Sequence, residues 1–85
     1  MNPYEIIQYP YVTEKTFMLI EKNNALQFVV KMEANKKMIK EAVEKIFEVK
    51  VAKVTTRITK KGKIATIKLH PEYKAEDIGM RIGIF

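Results

Sequence analysis

The sequence predicts an α+β domain: one largely antiparallel four-stranded sheet with helices packed on it, in the order β-α-β-α-β-β-(α). Three observations predict it. Apolar and polar residues alternate over Ala25–Met32 and again over Val49–Thr59, the period-two signature of strands. Between them, Met38, Ile39, Ala42, Val43, Ile46 and Phe47 recur at helical spacing, with Lys and Glu filling the rest of the circumference. Finally, Lys60-Lys61-Gly62-Lys63 reads as a tight hairpin turn, Gly62 being able to take positive φ, which folds Ile64–Leu69 back as an antiparallel partner.

Each element follows from local chemistry. Tyr4 to Tyr9 reads as a short strand stopped by Pro10, because proline cannot donate to a ladder. Thr13 is a candidate N-cap, with Glu14 at the first helical position, where the helix dipole favours an anion. That helix runs through Phe17, Met18, Leu19 and Ile20 to about Lys22, and Asn23-Asn24 stops it; the apolar run 17–20 is equally compatible with a strand. In the strand Ala25–Met32, Leu26, Phe28, Val30 and Met32 share one face; Gln27, Val29 and Lys31 share the other. Asn35 caps the main helix, which ends near Glu48. Along Val49–Thr59, Ala52, Val54, Thr56 and Ile58 point one way, and Lys53, Thr55, Arg57 and Thr59 the other. After His70-Pro71 a last helix spans Ala75 to Ile82, with Ala75, Ile78 and Ile82 as apolar contacts and Gly83 as its stop.

Eighty-five residues suit a single domain, 1–85, able to bury roughly 60–65% of the surface of its extended chain. The 47% of apolar residues suffices for one core and leaves too little for a deep, walled substrate cavity. Cysteine is absent, so neither a disulfide framework nor a thiolate metal site can form. No apolar run approaches the ~20 residues of a membrane span, and the start Met1-Asn2-Pro3-Tyr4-Glu5 lacks the features of a signal peptide. These features predict a soluble, cytoplasmic protein without membrane insertion.

Charge is the most informative property. Eleven of the sixteen Lys and Arg residues fall between Lys31 and Lys63, against four acids there (Glu33, Glu41, Glu44, Glu48), so the net charge of +6 belongs to the middle of the chain. A basic region confined to one part of a small domain is the footprint of a surface that meets a polyanion. The main helix has its charges reversed with respect to its dipole. Lys36, Lys37 and Lys40 occupy the first turns and Glu44 and Glu48 lie toward the end, each misplacement costing about 0.3–1 kcal/mol. The pairs Glu41–Lys45 and Lys40–Glu44 offset only a few tenths of this, and Lys36 with Lys40 is a like-charged pair. An anionic partner removes the conflict, whereas a merely solvated face leaves it in place. The hairpin adds Lys53, Thr55, Arg57 and Thr59 on one strand face and Lys60, Lys61 and Lys63 at its tip, more cations than protection of an edge strand requires. Cations alternating with hydroxyls suit phosphate and ribose contacts. The aromatic residues are not interleaved with the basic run, which favours recognition of RNA shape and backbone over stacking on splayed bases. His70 and Asp77 are the only His and Asp, and no nucleophile–base pair, phosphate-cradling glycine loop or metal-ligand spacing is present, so no catalytic residue, metal site or cofactor is expected.

Pro10-Tyr11-Val12-Thr13-Glu14-Lys15, then Phe28-Val29-Val30, then Asn35-Lys36-Lys37-Met38-Ile39-Lys40-Glu41-Ala42-Val43-Glu44-Lys45-Ile46-Phe47, followed by Val49-Lys50-Val51 and Val54-Thr55-Thr56, resemble the large-subunit ribosomal protein L23 family across essentially the whole chain. The resemblance implies an early-assembling structural protein that binds large-subunit rRNA at the rim of the polypeptide exit tunnel. It further implies a neighbouring ribosomal protein of the L29 family as a partner, and a docking surface for signal recognition particle and the translocon. Thr13, Lys15, Asn35, Lys36 and Lys40 match family positions expected to face RNA, and Thr55 and Thr56 lie on the matching strand. Bacterial relatives carry a long extension between the last two strands; here only Lys60-Lys61-Gly62-Lys63 joins them, as in the archaeal branch. The residues expected to bind RNA are therefore Thr13, Lys15, Asn35, Lys36, Lys37, Lys40, Lys53, Thr55, Arg57, Lys60, Lys61 and Lys63. The alternative is a protein-docking adaptor, best supported by the apolar C-terminus (Ile82, Ile84, Phe85), or a stand-alone RNA-binding module outside the ribosome.

Overall fold

The computed structural model describes residues 2–85. Strands β1 (Ile7–Pro10), β2 (Ala25–Val30), β3 (Val51–Thr59) and β4 (Gly62–Leu69) form one antiparallel sheet in the spatial order β1-β2-β4-β3. Helices α1 (Pro3–Ile6), α2 (Thr16–Asn23), α3 (Lys36–Phe47) and α4 (Ala75–Arg81) pack around it. The α+β architecture is the one the sequence predicts, with one added element.

That element is α1. The segment expected to be strand from Tyr4 is helical as far as Ile6, because Asn2 caps it: the Asn2 side chain accepts from the Tyr4 N–H at 2.9 Å, and Pro3 occupies the first helical position. Pro10 does not precede the end of the strand but is its last residue, opposite Phe28, which an edge strand tolerates.

Other boundaries shift for similarly local reasons. α2 begins at Thr16, three residues after Thr13, because the intervening turn closes on itself. The Thr13 N–H donates to Thr16 Oγ1 at 2.7 Å, and Thr13 Oγ1 accepts from the Lys15 N–H at 3.3 Å. Thr13 is therefore not the N-cap the sequence suggests: that position falls to Lys15, which makes no side-chain cap bond, and Thr13 closes the turn ahead of the helix. β2 ends at Val30, since the Ala34 N–H bonds the Lys31 carbonyl and turns the chain toward α3. In β3 an irregularity between Val51 and Lys53 interrupts the alternation. Val51 and Val54 are both buried while Ala52, expected to share a face with Val54, is exposed. A bulge allows two inward residues to be separated by three positions.

The main core lies between α3 and one face of the sheet. Leu26, Phe28 and Val30 of β2, Ala65, Ile67 and Leu69 of β4, and Val51 and Val54 of β3 pack against Ile39, Ala42, Val43 and Phe47 of α3. The Phe28 and Phe47 rings stack with centroids 5.8 Å apart. Each large side chain buried there contributes about 1.5–3 kcal/mol. α4 closes one end of this core with Ala75 and Ile78, beside Ile20 of α2. It ends as the sequence predicts, one residue earlier: Gly83 takes φ 80°, its N–H bonds the Met80 carbonyl, and the Ile84 N–H bonds that of Gly79.

Candidate nucleic-acid interface

The first part of the basic surface is the start of α3. Asn35 Oδ1 accepts from the Met38 N–H at 2.8 Å, so this side chain is committed to ending the helix cleanly. Lys36, Lys37 and Lys40 stand exposed on the turns that follow. Glu44 does not answer Lys40. Its Oε2 accepts from the Val51 N–H at 2.9 Å and secures the entry to β3. The expected ion pairs Glu41–Lys45 and Lys40–Glu44 are not formed: among the described residues no Lys or Arg side chain pairs with an acid, and the one acid–base contact joins His70 to Glu72 at 3.7 Å.

The second part is the β3–β4 hairpin. Thr59 pairs with Gly62, leaving Lys60 and Lys61 as a two-residue turn, and Gly62 takes φ 120°. Thr59 Oγ1 accepts from the Lys61 N–H at 3.1 Å and donates to the Gly62 carbonyl at 3.2 Å. Lys60 and Lys61 are thus presented at a fixed, exposed tip. Lys63 behaves differently. It pairs with Val30 and Ile58, on the α3 side of the sheet, and its Nζ donates to the Ala34 carbonyl at 2.6 Å and the Met32 carbonyl at 3.4 Å. It therefore ties the hairpin to the segment leading into α3 and does not stand in the row of free cations.

The third part is the sheet face opposite the main core. Register places Lys53, Thr55, Arg57 and Thr59 of β3 beside Lys68, Thr66, Ile64 and Gly62 of β4, and these beside Ala25, Gln27 and Val29 of β2. Lys53, Thr55, Arg57 and Lys68 are exposed. The Tyr11 N–H donates to the Gln27 carbonyl at 3.0 Å, extending the β1 edge. The centroid of its ring then lies 6.0 Å from the Arg57 Cζ and 5.8 Å from the Lys61 Nζ. Each such contact is worth about 0.5–1 kcal/mol at an exposed site, and together they hold two like charges near each other. Thr13 and Lys15 follow in the same loop, Thr13 with its hydroxyl engaged in the turn and Lys15 exposed.

The fold thus gathers Lys53, Thr55, Arg57, Lys60 and Lys61 along one strand and its tip, and Asn35, Lys36, Lys37 and Lys40 at one helix end. Four residues on this face, Tyr11, Gln27, Thr66 and Lys68, were not among those expected from the sequence to bind RNA. Lys68 and Thr66 did leave a signal, since they alternate with the apolar Ala65, Ile67 and Leu69. Tyr11 left none, because its neighbours on the surface come from a strand more than forty residues away. An open groove of about 420 Å³ is bounded by Ile20, Asn24, Pro71 and Lys74. Among the described residues no group of His, Asp or Glu could hold a metal ion, and no helix is long and apolar enough to cross a membrane.

Comparison with known proteins bears on this surface. Residues 5–78 match the family model for ribosomal protein L23. The large ribosomal subunit protein uL23 of Methanobrevibacter smithii is 55% identical over 86 positions, covering 100% of both chains. That of Methanothermobacter thermautotrophicus is 49% identical over the same span and coverage. That of Thermoplasma acidophilum is 51% identical over 81 positions, 95% of this chain and 96% of its own.

Proposed function

This chain belongs to the ribosomal protein L23 family, and from that premise we propose that it is a structural component of the large ribosomal subunit that binds large-subunit rRNA near the polypeptide exit tunnel. Members of the family are structural ribosomal proteins and not enzymes, and such a protein works in the cytoplasm. One observation carries the RNA reading: sixteen Lys and Arg side chains, none paired with an acid among the described residues. A polyanion supplies the counter-charges that the fold itself leaves out.

Phosphate neutralisation falls to Lys36, Lys37, Lys40, Lys53, Arg57, Lys60 and Lys61, and to exposed Lys15. Thr55 offers a directed hydroxyl, while Thr13 and Asn35 shape the turns that present these cations. Lys63 contributes by fixing the hairpin, since its ammonium is already engaged. An L29-family neighbour, signal recognition particle and the translocon complete the proposed partner set. Their docking surface is the apolar patch where Phe17 and Phe85, both about half exposed, pack with ring centroids 5.5 Å apart beside exposed Met18. The two-residue hairpin turn leaves no extension to reach into the tunnel. Filter binding to a transcript of large-subunit rRNA tests the reading. Retention that weakens with a log–log salt slope of roughly −3 to −7, as five to eight phosphate contacts require, supports it; salt-independent binding or none overturns it.

A further inference from the structure

Lys53 and Lys68 are direct cross-strand partners, with Thr55 and Thr66 paired in the next register position. Like charges placed directly opposite each other destabilise a sheet, and no acid among the described residues relieves this pair. Both lysines line a recess of about 150 Å³ between α2 and the sheet, whose apolar lining is Leu19 and Ala25. The volume is well below the roughly 300–1,000 Å³ of a pocket that encloses a whole small molecule. It suits one group of a larger ligand. Polar chemistry there is directional: Gln27 Nε2 donates to Thr66 Oγ1 at 3.0 Å, which leaves the Thr66 O–H to donate elsewhere.

We propose that this recess receives one unpaired nucleotide of the bound RNA, its phosphate bridged by Lys53 and Lys68 and its base set against Leu19 and Ala25. The inference rests on the rRNA reading above and deepens it, by naming the kind of RNA this face takes. A base inside a duplex is stacked and paired and cannot enter a recess, whereas an unpaired one can be turned out of the strand. The strand continues over the same face. Arg57 lies four residues along β3 from Lys53, ~13 Å at the usual strand rise, and Tyr11 holds it with Lys61 as the next phosphate site. That aromatics are not interleaved with the basic run therefore does not exclude unpaired RNA, because the apolar contact surface comes from α2 and β2.

The test compares octauridylate with a blunt RNA duplex carrying the same number of phosphates, each titrated into the full chain by fluorescence anisotropy. Tighter binding of octauridylate is expected. Lys68→Gln, at an exposed position, and Thr66→Val are each expected to lower it about five- to tenfold, as loss of one phosphate contact or one hydrogen bond does. Duplex binding should change less than about twofold in both, and Lys68→Gln should reduce the salt slope for octauridylate by about 0.7. Backbone amide shifts on adding octauridylate should centre on Ala25, Thr55, Thr66 and Lys68. Equal affinity for the two probes, an unchanged affinity in Lys68→Gln, or shifts confined to the start of α3 would overturn the nucleotide site. If the rRNA transcript binds while octauridylate shows no preference, only this inference falls; if the transcript fails to bind, the rRNA reading falls with it.

Discussion

Asn24 takes the left-handed conformation, φ 52° and ψ 45°, that ends α2, and its side chain then serves a second helix. Its Oδ1 accepts from the Ala75 N–H at 2.7 Å, capping α4 where Lys74 cannot, and its Nδ2 donates to the Tyr73 carbonyl at 2.8 Å. Asn24→Ala loses both the conformational fit and the cap, and should cost about 2–3 kcal/mol in urea unfolding. Asn24→Gly keeps the backbone conformation and loses only the hydrogen bonds, so about 1 kcal/mol is expected. Equal losses in the two variants would refute this division. The sequence pattern marks Asn24 as a turn, since asparagine tolerates the left-handed region. Its service to α4 was hidden because Ala75 is 51 residues away. Tyr11 is the functional counterpart: its place beneath Arg57 and Lys61 follows from strand pairing, which no local spacing encodes.

At the scale of elements, α3 was legible from cap to end because its apolar stripe, the Asn35 cap and the Glu48 turn all agree. α1 was not, as a four-residue helix has no periodicity to read and only Asn2-Pro3 announces it. The bulge in β3 was equally invisible, because apolar Val51, Ala52 and Val54 fit either phase of the alternation. The reversed charges at the start of α3 give an element-scale prediction. Lys36→Glu with Lys37→Glu should raise the stability of the free protein by about 1–2 kcal/mol, since acids suit the dipole there. The same double variant should bind the rRNA transcript at least tenfold more weakly. A variant that is less stable and binds equally well would remove this helix end from the interface. Asn35→Ala separates the contributions differently: loss of the cap should cost about 1 kcal/mol in stability and leave the salt slope unchanged.

For the whole molecule, net charge and its concentration in the middle of the chain were readable by counting, and they motivate the proposed polyanionic partner. What counting could not show is which cations share a face. The fold turns Lys63 toward the loop before α3 and brings Lys68, outside the basic stretch, onto the ladder. Lys60→Ala with Lys61→Ala should therefore weaken transcript binding and flatten its log–log salt slope by between about 1 and 2; an unchanged slope would take the hairpin tip out of the interface. The lack of any Lys or Arg ion pair among the described residues has one more consequence. With a net charge of +6 and no close Lys or Arg ion pair to weaken, added electrolyte mainly screens repulsion in the free chain. Its melting temperature should climb with added potassium chloride, while the grip on RNA loosens over the same range. Newly made chains are then expected to be least robust in dilute electrolyte, the condition in which the proposed capture by rRNA is strongest.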